Sequence, residues 1–211
     1  MLEQVQQMLH RIRDLFFRYG IKSMTMDDIA MQLGMSKKTI YTHFPDKKTI
    51  LKAMMQDFLS CHHQEVLEVQ GNAENAIDEM FQIAGKGLER MDRITPGFLF
   101  DLRKYHGDIW DLFEKFRSTA IYEGISCNLK RGITEGLFRD DIDIEIAARM
   151  HMQHLNLIVD PGLFADLNKP MRQVLYGIMV NFMRGIVTVK GEKVLSKYLQ
   201  QLKEGENTNL I

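Results

Sequence analysis

Within one short segment the chain places Ser36, Lys37, Lys38, Thr39, Tyr41, Thr42, His43 and Lys47, with Thr25 a little upstream. Short hydroxyls, flexible ammonium groups and rings with a polar edge are the side chains that reach phosphate oxygens and base edges. The histidines lack a nucleophile, base and orienting group at catalytic spacing, and no glycine-rich phosphate loop accompanies them. The chemistry on offer is recognition of a charged polymer, and the chain reads as a non-enzyme.

Two short helices must position these groups. Thr25 followed by Asp28 is a capping-box pattern. The helix it starts carries Ile29, Ala30 and Leu33 on one face and stops at Gly34, the residue best suited to a left-handed helix end. Ser36 caps a second helix, and Pro45 ends it. Ile40 and Phe44 then point at the first helix and Met35, leaving Ser36, Lys37, Lys38, Thr39, Tyr41, Thr42 and His43 outside. Two helices joined by Gly34-Met35-Ser36 form a helix-turn-helix, although an ordinary solvated surface helix would share the spacing.

The pattern Thr25-x-x-x-Ile29-Ala30-x-x-x-Gly34-x-Ser36-x-x-Thr39-Ile40-Tyr41-x-His43-Phe44-x-x-Lys47 closely resembles the DNA-binding domain of the tetracycline-repressor (TetR) family. The resemblance covers about the first 55 residues. It implies an all-α fold: an N-terminal three-helix DNA-binding domain, residues 1–48, and a C-terminal helical effector-binding and dimerisation domain, residues 49–211. It further implies a homodimer on a palindromic double-stranded operator, with a phosphate contact from Lys47 at the first turn of the next helix. Lys37 and Lys38 would lie nearest base edges, and Thr25, Tyr41, His43 and Lys47 would hold phosphates. Many relatives have a basic arm ahead of the first helix; this chain begins Met1-Leu2-Glu3, so no arm contact is expected.

Length and charge agree with that layout. The 211 residues suffice for a small domain joined to a medium one, and the net charge is −1. Residues 1–50 hold eight Lys and Arg against five Asp and Glu, a local excess of +3, so the remainder carries −4. A basic end on a slightly acidic body suits a DNA reader with a separate second function. Two cysteines, Cys61 and Cys127, and no signal peptide predict a reducing cytoplasmic location. No uncharged apolar run reaches the ~18 residues a membrane span needs.

Helical periodicity accounts for the rest. Val5, Met8, Leu9, Ile12, Leu15, Phe16 and Tyr19 predict a supporting first helix ending at Gly20. Asp46 caps a helix to about Val69, a natural lever between the two domains. A helix from Ala76 to Met91 follows, then a Thr95-Pro96 helix start. Asp108 opens a long helix to roughly Glu135, which Gly124 and Gly132 would kink. Asp141 or Asp143 caps a helix to about Val159, ended by Asp160-Pro161-Gly162. Another runs from Met171 to Ile186, a final one from Glu192 to Leu202, and Gly205 begins a loose tail.

The chain holds 15 Met and 12 Phe, and the Met and aromatic residues of the middle helices suggest an adaptable apolar pocket, with plain core packing as the alternative for any one of them. Candidate lining residues are Phe58, His62, Met80, Phe81, Ala84, Phe98, Tyr105, Phe113, Phe116, Met150, His151 and His154. The effector they imply is small and apolar or aromatic, of unknown identity. Leu175, Ile178, Met179, Phe182, Met183 and Ile186 form a wide apolar face, read from the resemblance as the dimer interface and from pattern alone equally as core. His151 and His154 with Cys61, His62 and His63 lack a recognisable zinc arrangement, so no metal and no cofactor are expected. The competing reading is an architectural or partner-binding DNA protein without an effector, which a solidly packed middle domain would favour.

Overall fold

The computed structural model describes residues 2–157, 164 and 166–203. In chain order the helices are α1 (Leu2–Tyr19), α2 (Met26–Leu33), α3 (Lys37–His43), α4 (Lys47–Asn72), α5 (Ala76–Met91), α6 (Pro96–Tyr105), α7 (Gly107–Phe116), α8 (Tyr122–Thr134), α9 (Ile144–Asn156), α10 (Met171–Ile186) and α11 (Val189–Lys203). A π-helical turn, Arg117–Ile121, joins α7 to α8. Among the described residues there is no strand, only an isolated bridge between Phe138 and Val187. The fold is all-α, as the periodicity and the resemblance imply.

The helices gather into two compact units. One comprises residues 1–64 and 92–117, the other 65–91 and 118–211. Packing draws these units; the division into residues 1–48 and 49–211 is one of roles, which packing does not address. In the first unit α1 packs on α2 and α6, α2 on α3, and α6 on α7. Its core holds Ile12, Phe16, Ile21, Ile29, Ile40, Ile50, Leu51 and Met54, and Phe98 and Leu102 of α6 belong to the same core. Phe17 meets Phe58 and Phe98 edge-on at centroid distances of 5.6 and 4.8 Å. In the second unit α8 packs on α5 and α9, α9 on α10, and α11 on α5.

Local signals set several helix ends. Thr25 and Asp28 form both halves of the capping box, and Gly34 takes φ +67° at the end of α2. Ser36 Oγ accepts the Thr39 N–H at 3.1 Å and caps α3. Asp46 accepts the Thr49 N–H at 2.7 Å, Thr95 caps α6 ahead of Pro96, and Asp143 is the cap chosen by α9.

Three expectations change. The run from 107 to 134 is interrupted at Arg117–Ile121, not at Gly124 or Gly132. Gly132 instead serves packing: a Cβ there would overlap the buried Phe138 ring. Met35, towards which Ile40 and Phe44 are expected to point, is exposed. Finally, Met179, Phe182, Met183 and Ile186 are buried in the core of the second unit, and Met183 has no exposed surface at all. The chain's own helices cover these four, so they are unavailable to a second copy; Leu175 and Ile178 stay half-buried. The turn at Asp160-Pro161-Gly162, the end of the preceding helix beyond Leu157, and the tail from Gly205 lie outside the described residues.

Candidate nucleic-acid interface

On α3 only Ile40 is buried, and Phe44 follows it into the core; Ser36 to Thr39 and Tyr41 to His43 are exposed. The two apolar anchors turn one face inward, so every candidate recognition side chain on the helix faces solvent. Thr42 Oγ1 donates back to the Lys38 carbonyl at 2.8 Å, and Ser36 and Thr39 hydroxyls meet at 2.8 Å. Lys37 pairs with Asp27 of α2 at 2.5 Å; both are exposed, so the pair is worth little. Tyr41 is half exposed. Lys38, Tyr41 and His43 are thus exposed donors on a helix fixed from behind.

Thr25 and Lys47 are placed differently. The Thr25 hydroxyl and its N–H both donate to Asp28 Oδ2, at 2.5 and 2.9 Å, and the hydroxyl oxygen accepts the Asp28 N–H. Those bonds hold the Asp28 carboxyl below its usual range, the Thr25 hydroxyl contributing most. Thr25 is thereby spent on capping. The Lys47 ammonium donates to the Ile21 and Met24 carbonyls at 2.9 and 2.8 Å, closing the turn between α1 and α2. Burial lowers its pKa, partly offset by the Asp101 carboxylate. Lys48, not singled out from the sequence, is exposed beside it and pairs with Asp108 at 3.1 Å.

Residues 9–54 match the family described as bacterial regulatory proteins, tetR family. This N-terminal segment is of the TetR type. A relative in sequence is the HTH-type transcriptional regulator YvaF of Bacillus subtilis (strain 168), 26% identical over 144 residues, or 66% of this chain and 73% of that protein. A transcriptional regulator from Saccharomonospora viridis, solved in complex with choline, superposes with TM-score 0.67 at 18% identity, over 89% of this chain and 100% of that one. The ketosteroid transcriptional regulator KstR2 of Mycobacterium tuberculosis does so with TM-score 0.57 at 18% identity, over 86% and 94%. The structural likenesses carry the fold, and the relatives are transcriptional regulators rather than enzymes. Among the described residues no helix is long and apolar enough to cross a membrane.

The twelve candidate effector residues divide between the two units. In the first, Phe98 is core, while Phe58, Phe113 and Phe116 are half-buried against that core and Tyr105 is exposed. His62 stands 5.6 Å from the Phe116 ring. In the second, Met80 and Phe81 are core, Ala84 packs beside them, and Met150 is exposed. Tyr105 and Met150 therefore do not line an interior of their own unit. His151 and His154 flank Phe182, with centroids 4.8 and 5.6 Å away. The Nδ1 atoms of both are enclosed without a hydrogen-bond partner. Burial, then His154, pushes His151 down to about 4, and burial lowers His154. Neutral imidazoles with unused ring nitrogens are polar anchors in an otherwise apolar place.

Metal-ligating groups converge elsewhere. His10 of α1 meets Asp57 and Cys61 of α4, the three ligand atoms lying within 4.8 Å of one another.

Proposed function

We propose that this TetR-family chain is a transcriptional repressor that binds a palindromic DNA operator as a homodimer and releases it when a small, largely apolar molecule binds. The observation that carries the reading is α3: capped, anchored by Ile40 and Phe44, and exposed at every other position. Residues 1–48 would read DNA, with Lys37 and Lys38 near base edges and Tyr41, Thr42 and His43 on phosphates. Lys48 stands in for Thr25 and part of Lys47, whose polar groups are engaged within the chain.

The effector reading rests on the neutral, partnerless ring nitrogens of His151 and His154 beside Phe182. A ligand with an apolar body and one hydrogen-bonding group would satisfy them. The scaffold's capacity for small organic molecules is supported by the relative solved with choline. Release would follow from population shift: an effector that prefers the state with wrongly spaced reading helices draws the dimer from its site, with coupling on the order of 1–3 kcal/mol.

The test begins with the DNA that the full chain retains from its source genome. On that fragment Lys38→Ala should cost about 1–3 kcal/mol and relax base preference at one position per half-site. Equal binding and equal preference in both proteins would overturn the assignment of α3 as the reading helix.

A further inference from the structure

His10, Asp57 and Cys61 do not belong to the DNA-reading surface or to the effector candidates. His10 Nε2 lies 2.9 Å from Asp57 Oδ2, and Cys61 Sγ lies 4.0 Å from the same oxygen. Asp57 and Cys61 are four apart on α4, so they share one face of that helix, and His10 faces them from α1. Gln6, one turn before His10, donates to Asp57 Oδ1 at 3.3 Å. That bond holds the carboxylate by its far oxygen and leaves Oδ2 directed at the imidazole and the thiol.

We propose that His10, Asp57 and Cys61 form a three-ligand site for a thiophilic divalent metal ion of the Zn²⁺ class, tying α1 to α4. Tetrahedral bonds of about 2.0–2.1 Å to nitrogen and oxygen and about 2.3 Å to sulfur place ligand atoms about 3.3–3.7 Å apart. The histidine–aspartate separation must open by a few tenths of an ångström, and the sulfur, within 4.8 Å of the imidazole nitrogen, must draw in by up to roughly an ångström, both within the reach of side-chain rotation. Imidazole, carboxylate and thiolate together select a borderline-soft ion over Mg²⁺ or Ca²⁺, which prefer all-oxygen shells. Asp57 and the Cys61 thiolate supply two negative charges against the ion's two positive ones. The His10 and Asp57 side chains are 39% and 16% exposed, which leaves an entry path and a fourth position for water. Binding releases the Cys61 proton to solvent and leaves the imidazole proton on His10 Nδ1, so affinity rises with pH. Because the ligands come from two helices of one folded unit, the ion binds the folded chain preferentially and stabilises it.

Cobalt titration of the full chain tests the site, because Co²⁺ bound to a thiolate shows a sulfur-to-metal charge-transfer band. The working background is Cys127→Ser, which removes the other cysteine, an exposed one. One equivalent of Co²⁺ per chain should develop the band, and one equivalent of Zn²⁺ should erase it. Cys61→Ser, or Cys61→Ala if the serine variant unfolds, should abolish the band while circular dichroism stays helical. His10→Gln and Asp57→Asn should each weaken cobalt binding about tenfold or more. Absence of the band on the Cys127→Ser background, or cobalt held as tightly after Cys61 is removed, would overturn the proposal. Undiminished binding in both His10→Gln and Asp57→Asn would do so as well.

Discussion

Asp101 Oδ2 accepts the backbone N–H of Lys22 at 2.7 Å, so a carboxylate of α6 holds the turn that separates α1 from α2. The same turn is also held by Lys47, which donates to the carbonyls of Ile21 and Met24. Gly20 begins the turn at φ +82°, and a Cβ at that position would stand 3.4 Å from the same Asp101 oxygen. The orientation of α2, and of α3 packed on it, thus depends on a buried acid and a half-buried base that act on one backbone loop.

Asp101→Ala removes a buried acceptor and strands the Lys22 N–H. The expected cost is about 1–3 kcal/mol, read as a lower urea midpoint with an unchanged slope. A midpoint equal to that of the unmutated chain would show that water replaces the carboxylate without loss.

Lys47→Met keeps much of the apolar stem and deletes the ammonium. Two carbonyls lose their donor, so the DNA-free protein should lose about 1–3 kcal/mol. The slope of log affinity against log salt should stay as it is, because the ammonium is engaged inside the chain. A slope smaller by about one unit would instead assign a phosphate to Lys47.

Stability should fall on mild acidification because of His151 and His154. In the unfolded chain both titrate near 6.5, whereas His151 in the fold is held at about 4 and His154 is also lowered. Between those values the unfolded chain binds protons that the folded one refuses. Their contribution is therefore intact above about pH 6.5 and is lost as the pH drops towards 4, by up to about 3 kcal/mol for His151. His151→Gln should flatten the difference between urea midpoints at about pH 7.5 and about pH 5. An equally steep pH dependence in that variant would place the proton uptake elsewhere.

Ile178→Glu tests the homodimer. With Met179, Phe182, Met183 and Ile186 inside the second unit, the apolar groups that α10 leaves half-buried are Met171, Leu175, Tyr176, Ile178 and Val180. A charge at Ile178 should yield a helical monomer with weakened operator binding, because one half-site alone forgoes the second set of contacts. Sedimentation of the variant as a dimer at micromolar concentration would move the interface off this face.

What could be read without coordinates is what the chain decides within a few residues of itself. Thr25 reaches Asp28, Ser36 reaches Thr39, and Gly34 relieves its own backbone, so the two helices and their turn follow from local hydrogen bonds and sterics. Periodicity located α1, α5 and α10 for the same reason, since a helix face repeats whatever covers it. Which neighbour does the covering is another matter. The stripe on α10 serves equally for a core or a second copy, and the packing of α9 against it gave four of its six candidates to the core. Asp101 meets Lys22 across 79 positions and His10 meets Asp57 across 47. Neither pairing leaves a periodic trace, because one side chain meeting one distant group needs no repeat. The turn grip and the convergence of His10, Asp57 and Cys61 were decided only when α6 and α4 came to rest against α1.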